Sequence, residues 1–444
     1  MGGLMFGYDW VVIGGAEIFY EKFFRLASAW EVGWAMSSAL IGALVGATLA
    51  GALSDKWGRK PLLVLAGLLF VVTSIGTGIA HSFPLFIANR LLGGVAIGVA
   101  SNLSPLYIAE IAPASMRGRL VALNQVTIAL GVMAAQIVNW LIARPTPPGV
   151  AIDQIPWDSW NVQSAWRWMF GVTAIPACIF FLAMMLVPES PRWLLKKGRG
   201  GPARKVLSKI GGPEYGEASA LDIEATLVNE IDKVDLRELF EPKMLKILVL
   251  GIVLAVFQQW CGINVIYQYG SRIFAEAGYA VSGIMFSIVI TGAVGLLMTF
   301  VAIGTVDRWG RRVLMLSGAL GLAVIYLVAG LAYYLNLKGP VPVILVVAAI
   351  ACYCYSLAPI TWVILSEIFP NRIRGAAMSV SVAALWLANF ALSEMFPVMY
   401  RTMGMARCFW VYAGICFAGF IFLYKRLPET RGKTLEQLER DLVD

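Results

Sequence analysis

Asp55-Lys56-Trp57-Gly58-Arg59-Lys60 returns as Asp307-Arg308-Trp309-Gly310-Arg311-Arg312, 252 residues further on, and each copy stands between two long apolar runs. One copy alone would carry little weight. Two more pairs recur in the same order. Glu110-Ile111-Ala112-Pro113 with Arg117-Gly118 matches Glu367-Ile368-Phe369-Pro370 with Arg374-Gly375, and Pro188-Glu189-Ser190-Pro191-Arg192 matches Pro428-Glu429-Thr430-Arg431. Three ordered matches at nearly constant offset read as an internal duplication of a membrane unit, the framework on which secondary transporters are built.

Composition agrees. Soluble chains carry about a quarter of their residues as charged groups; this 444-residue chain has 14% charged and 59% hydrophobic residues. It cannot clothe its surface in polar groups, so lipid is its solvent. A crossing helix needs roughly 20 mostly apolar residues, because only a helix or a closed barrel satisfies every backbone N–H and C=O without water. The chain offers runs of that length and lacks the ten-residue alternation of a barrel. Cuts at charges, prolines and glycines give twelve segments: 1–20, 32–54, 61–80, 84–109, 119–143 and 166–187, then 244–271, 281–306, 313–336, 340–366, 375–399 and 407–427. The expected fold is an all-α membrane protein of two pseudo-symmetric six-helix bundles, 1–187 and 244–428. A cytoplasmic linker at 188–243 carries short amphipathic helices, and a tail follows at 429–444.

The net charge of +8 is concentrated in alternate loops, which is a topology signal rather than a nucleic-acid surface. By the bias of Lys and Arg toward the inner face, those loops and both termini are cytoplasmic. The longest opposite loop, 144–165, brings Trp157, Trp160, Trp166 and Trp168 to or near a membrane interface, where indole rings prefer to lie. The six cysteines fall in or beside apolar segments without disulfide or zinc spacing. No nucleophile–base pair, metal cluster or nucleotide loop is read, and Leu92-Gly93-Gly94-Val95-Ala96-Ile97-Gly98 suits close helix packing rather than phosphate binding. An enzyme is not expected, nor any cofactor beyond a proton as coupling ion.

The repeated charges sit at helix ends. Asp55, Arg59, Glu110, Arg117, Glu189 and Arg192 in the first half match Asp307, Arg311, Glu367, Arg374 and Glu429 in the second. Carboxylates and guanidinium groups so placed can pair across neighbouring helices. They read as a cytoplasmic latch that joins the bundles in one state of a carrier and parts in the other; simple topology anchoring is the alternative. Asp9 and Arg90 fall inside the first and fourth segments, where an unpaired charge costs about 2.5–3.5 kcal/mol. They are expected to face each other, either as a proton-titrating pair or as a permanent fastening. Glu17, Glu276 and Glu394 are placed near outer helix ends, within reach of water.

Together the two D-x-x-G-R-[RK] loops, the two E-I-x-P-x-x-x-R-G segments, P-E-S-P-R, P-E-T and Gln258-Gln259-Trp260-Cys261-Gly262-Ile263-Asn264 resemble the sugar porter family of the major facilitator superfamily. The similarity covers essentially the whole chain and is greatest to bacterial proton-coupled symporters of the D-xylose type. The resemblance implies a monosaccharide as small-molecule substrate and a proton as co-substrate; composition and charge give membrane lipid as surroundings and no nucleic acid, short loops without glycosylation acceptors point to a bacterial inner membrane, and a monomer is expected. The resemblance also favours titration at Asp9, since similar symporters carry aspartate there and passive facilitators asparagine.

A sugar needs amides, which donate and accept, and an aromatic plate. Gln258, Gln259 and Asn264 supply amides from the seventh segment, where Gly262 permits a helix break; Gln125 supplies one from the other half, and Trp362 is the candidate plate. Phe6, Gln268, Tyr269, Trp386 and Asn389 are further pocket candidates, and Tyr267 and Tyr269 are placed to close over bound sugar, as in the family. Gly295 and Leu385 depart from the xylose-type pattern, which has amides at both places, so the resemblance leaves xylose, arabinose, glucose, galactose and a polyol open. A facilitative uniporter with a static Asp9–Arg90 pair is the alternative, and a transporter-like sugar receptor is a further one.

Overall fold

A computed structural model describes residues 1–113, 116–147, 152–228, 241–369 and 374–429; the side chains of Arg117, Asp307 and Arg374 lie outside the described residues, as do Thr430, Arg431 and the tail beyond. The described part is helical. The first half comprises α1 (Gly2–Phe24), α2 (Ala29–Trp57), α3 (Arg59–Gly78), α4 (Phe83–Ile111), α5 (Arg117–Ile142) and a sixth crossing, 161–186. That crossing opens with a π turn at Asn161–Ala165 and continues through α6 (Trp166–Gly171) and α7 (Ala174–Leu186). The sixth crossing therefore starts five residues before its expected start. Trp166 is fully buried, with the Phe23 and Phe24 rings at the end of α1 5.2 and 5.3 Å away.

Between the halves, α8 (Pro191–Lys196), α9 (Gly200–Gly211) and α10 (Pro213–Val228) enclose a small core of their own from Trp193, Leu194, Leu195, Ala203, Leu207 and Ala220. The second half runs α11 (Pro242–Trp260), α12 (Ile263–Gln268), α13 (Gly270–Glu276), α14 (Val281–Trp309), α15 (Arg311–Tyr334), α16 (Pro340–Tyr355), α17 (Leu357–Ile368) and α18 (Arg374–Arg426). Ten described helices or helix runs are long and apolar enough to cross a membrane. One of them, α18, has 53 residues and would extend about 80 Å if straight. It bends at the non-helical Gly404, so that its last part packs along α15, with Phe409 5.8 Å from Tyr326, and supplies two crossings. The remaining crossing is α1, whose Asp9, Glu17 and Glu21 are buried or half-buried inside the protein.

Small residues let helices approach. A Cβ on Gly94 would strike the carbonyl of Ala39, and one on Gly98 that of Ala43, so the glycine-rich stretch of α4 does serve close packing against α2. Large apolar side chains such as Leu141, Leu186 and Ile344 point outward, as hydrocarbon surroundings require. The halves meet along α2 with α18 and α5 with α14. In the second contact Gln136 donates to Thr291 at 3.3 Å, and Trp140 lies 6.0 Å from Phe286.

Candidate substrate and coupling site

The seventh crossing is broken where the sequence allows it. Gly262 takes φ +86°, and the ring of Tyr412 occupies the space any side chain there would need. The break brings Gln258 and Gln259, at the end of α11, against Asn264, in the first turn of α12. Asn264 Nδ2 donates to Gln259 Oε1, and Gln259 Nε2 donates to Gln258 Oε1 at 3.0 Å. Gln258 Nε2 in turn reaches the carbonyl oxygens of Ala358 and Leu357 at 3.3 and 3.5 Å. Those carbonyls open α17, just after the tenth crossing breaks at Ser356. A relay of three buried amides thus ties together two broken helices at membrane depth, the kind of place where irregular backbone lines a cavity.

Trp362 stands one turn along α17 from Ala358 and is 39% exposed, and Gln125 is half-buried on α5; neither joins the relay. Phe6 meets Trp386 edge-on at 6.3 Å and stacks on Trp10 at 6.3 Å. Gln268 and Asn389 are linked through Ser393, whose hydroxyl lies against Gln268 Oε1 and 3.2 Å from Asn389 Oδ1. Tyr269 is fully buried, donates to the Ser393 carbonyl at 2.7 Å and packs 4.8 Å from Phe396. Both contacts are to α18, within the second half. Leu385 is buried at 4% exposure.

Asp9 and Arg90 do face each other. Arg90 Nη1 lies 3.5 Å from Asp9 Oδ1, and the guanidinium sits 5.4 Å from the Phe170 ring centroid. Both side chains are nearly inaccessible, yet Asp9 Oδ2 and Arg90 Nε have no hydrogen-bond partner among the described residues. A charge-assisted N–H···O bond runs near 2.7–2.9 Å, so this is a loose contact. A cavity of about 10 Å³, at the lower limit for one water, adjoins Arg90 and is also lined by Trp10, Gln268 and Trp386. It places Arg90 beside two of the pocket candidates, Gln268 and Trp386.

At the end bearing the loop motifs, the two halves carry matching clusters. Arg59 grips Glu110 with two parallel N–H···O bonds of 3.0 Å, and its third nitrogen donates to Asp55 at 3.2 Å. Glu189 accepts from the backbone N–H groups of Arg59 and Lys60 at 3.0 and 3.2 Å, satisfying orphan donors at the start of α3. Arg311 pairs with Glu367 at 3.2 Å, and Glu429 caps α15 through the N–H groups of Arg311 and Arg312 at 3.1 and 3.2 Å. Gly58 and Gly310 take φ +102° and +85° beside those capping carboxylates, which explains glycine at both positions. Arg192 stands in the first turn of α8. Each of these pairs joins residues of one half.

The opposite end holds a cluster that sequence reasoning missed. Arg272 of α13 directs Nη2 and Nε to Glu17 Oε1 at 2.8 and 3.0 Å, Ser271 donates to the Gly14 carbonyl at 2.8 Å and approaches Glu17 Oε2 at 3.1 Å, and Arg272 also pairs with Glu21. Arg401 donates to Glu21 at 3.1 Å and to the Ala27 carbonyl. Ser37 of α2 donates to Glu394 of α18 at 2.6 Å. The expectation that water reaches Glu17 is overturned: it is fully buried, because Arg272 and Ser271 of the other half cover it. The available signal was three carboxylates, Asp9, Glu17 and Glu21, on one apolar segment.

Two sets of six membrane crossings that meet along α2 with α18 and α5 with α14, with an amide relay at the broken helices of the second half, define a secondary transporter of the major facilitator type. The family model described as sugar (and other) transporter matches residues 1–442. The chain is 36% identical over 442 residues to the arabinose-proton symporter of Bacillus subtilis, covering 99% of this chain and 92% of that one. It is also 36% identical over 470 residues to the D-xylose-proton symporter of Escherichia coli, with 99% and 93% covered. An inward-open structure of the xylose transporter XylE from E. coli superposes with a TM-score of 0.85 at 35% identity, covering 99% of this chain and 97% of that one. The chain therefore belongs to the sugar porter family of the major facilitator superfamily, an integral membrane transporter and not an enzyme.

Proposed function

We propose that the protein is a proton-coupled monosaccharide symporter of a bacterial inner membrane, with both termini cytoplasmic, working by alternating access. The observation that carries the proton step is the looseness of Asp9–Arg90. Where two helices of one half are fastened, as by Arg59–Glu110, the carboxylate is held tightly by two N–H groups at 3.0 Å. Asp9–Arg90 keeps one contact at 3.5 Å and leaves an oxygen and a nitrogen unpaired. A carboxyl held that way can take up a proton and release the arginine with little else to break. The relatives named above, arabinose–proton and D-xylose–proton symporters, support the same reading.

In the mechanism, sugar binds to the amides of Gln258, Gln259 and Asn264, with Gln125 from the opposite half and Trp362 as an apolar plate. Protonation of Asp9 frees Arg90, and the repacking of α1 against α4 reaches the pocket through the cavity shared with Trp10, Gln268 and Trp386. The halves here are joined at the end away from the loop motifs, through Glu17–Arg272, Glu21–Arg401 and Ser37–Glu394, which is the geometry of a carrier open toward the cytoplasm. In the outward-open state these bonds part, and the Arg59 and Arg311 clusters of the two halves engage each other as the latch.

Vesicles reconstituted with the protein test this. An imposed inward-directed proton gradient should drive sugar above its external concentration in the wild type. Asp9→Asn should equilibrate sugar without accumulating it. Accumulation by Asp9→Asn would remove the proton role; equilibration by both proteins would mean uniport.

A further inference from the structure

Gly295 of α14 has a specific neighbour. A Cβ built there would lie 3.0 Å from the hydroxyl oxygen of Tyr267, while Cys354 Sγ and Ile350 would be at ordinary contact distances of 3.6 and 3.7 Å. The tyrosine hydroxyl thus occupies the space that a side chain on α14 would enter. Tyr267 sits on α12 one turn after Asn264, the last amide of the relay, and its ring lies 5.6 Å from Trp10. The hydroxyl is poorly served: among the described residues its partner is the Cys354 thiol at 3.6 Å, a weak acceptor and a weak donor. A buried hydroxyl with so poor a partner, beside a relay of amides, is available to a substrate hydroxyl.

We propose that Tyr267, packed over Gly295, decides which monosaccharide the site accepts: its hydroxyl bonds one ring hydroxyl of the sugar, and its bulk denies that side of the pocket to a larger substituent. This rests on the reading of the protein as a monosaccharide carrier. A site built to bond a hydroxyl rejects the analogue that lacks it, because the protein group is then left unpaired. Tyr267 is a specificity residue in that sense, and Gly295 is what lets it stand there.

The test uses the full-length protein in vesicles, with D-xylose, L-arabinose, D-glucose and D-galactose, and then the single-deoxy analogues of whichever is transported best. The wild type should disfavour one analogue by roughly tenfold or more. Tyr267→Phe should weaken the parent sugar by a similar factor and abolish discrimination at that one ring position, leaving the other analogues penalised as before. Equal weakening for every analogue, or an unchanged pattern, would overturn the assignment. A second arm reads the packing: Gly295→Ala should impair transport when Tyr267 is intact, since the hydroxyl must shift, and add little to Tyr267→Phe. Full additivity of the two changes would contradict the pairing. A wild type that transports none of the four sugars would instead remove the monosaccharide reading on which the assignment depends.

Discussion

Arg272 and Glu17 are joined by two N–H groups converging on one carboxylate oxygen, at 2.8 and 3.0 Å, and they belong to opposite halves of the transporter. Glu17 is fully buried, so its charge has exchanged water for that arginine and for the hydroxyl of Ser271. A buried ion pair is not strong evidence for stability, but removing one partner strands the other.

Arg272→Ala is therefore expected to destabilise the state observed here by about 3–5 kcal/mol. Glu17→Gln together with Arg272→Gln, which leaves no stranded charge, should cost much less than Arg272→Ala. Thermal unfolding in detergent, with the accessibility of a thiol introduced at Ala275, which borders one cavity with Arg272 and Glu21, would read both effects. The single variant should label faster at that thiol, because the far end opens. Equal stability of all three proteins would show that the pair does not hold the halves together.

Gln259 is the central link of the amide relay, accepting from Asn264 and donating to Gln258. Gln259→Leu leaves one buried donor and one buried acceptor without partners and removes a sugar contact. The expected loss in apparent sugar affinity is roughly tenfold to a hundredfold, from about 1–3 kcal/mol per unsatisfied group. Binding measured by displacement of a labelled monosaccharide would show it, and an affinity within twofold of wild type would separate the relay from the site.

Gly58 combines φ +102° with the Glu189 carboxylate lying where a Cβ would go. Gly58→Ala should lower stability by about 1–3 kcal/mol from backbone strain alone. The displaced cap on α3 adds to that. Gly310→Ala should behave alike, because Glu429 stands in the same relation to it. Thermal unfolding of the two variants checks the repeat directly; a loss at one position and none at the other would mean the two caps are not equivalent.

The parts of this structure that were legible in the sequence are those written as local patterns. The D-x-x-G-R loops, with Glu189 and Glu429 following in the same order, announced a duplicated set of helix ends, and each glutamate caps the helix after its loop. Gly262 among the amides of the seventh segment announced the break that lets Asn264 reach Gln259. Contacts made by helix rotation were not legible. Nothing near Arg272 in the chain points to Glu17, and the fit of Tyr267 into the space at Gly295 depends on how α12 turns after its break. The π turn at Asn161–Ala165, which starts the sixth crossing five residues before its expected start, has no sequence signature.

The most direct test of proton coupling is the external pH of lightly buffered, energy-depleted cells after addition of a transported sugar. With Asp9 intact, sugar entry should alkalinise the medium, and the rate should fall as external pH rises, since the loaded carrier needs a neutral Asp9. In Asp9→Asn the alkalinisation should vanish while sugar exchange continues with little dependence on pH. Sugar uptake by the wild type with no change in external pH would contradict the account and leave Asp9–Arg90 as a structural pair.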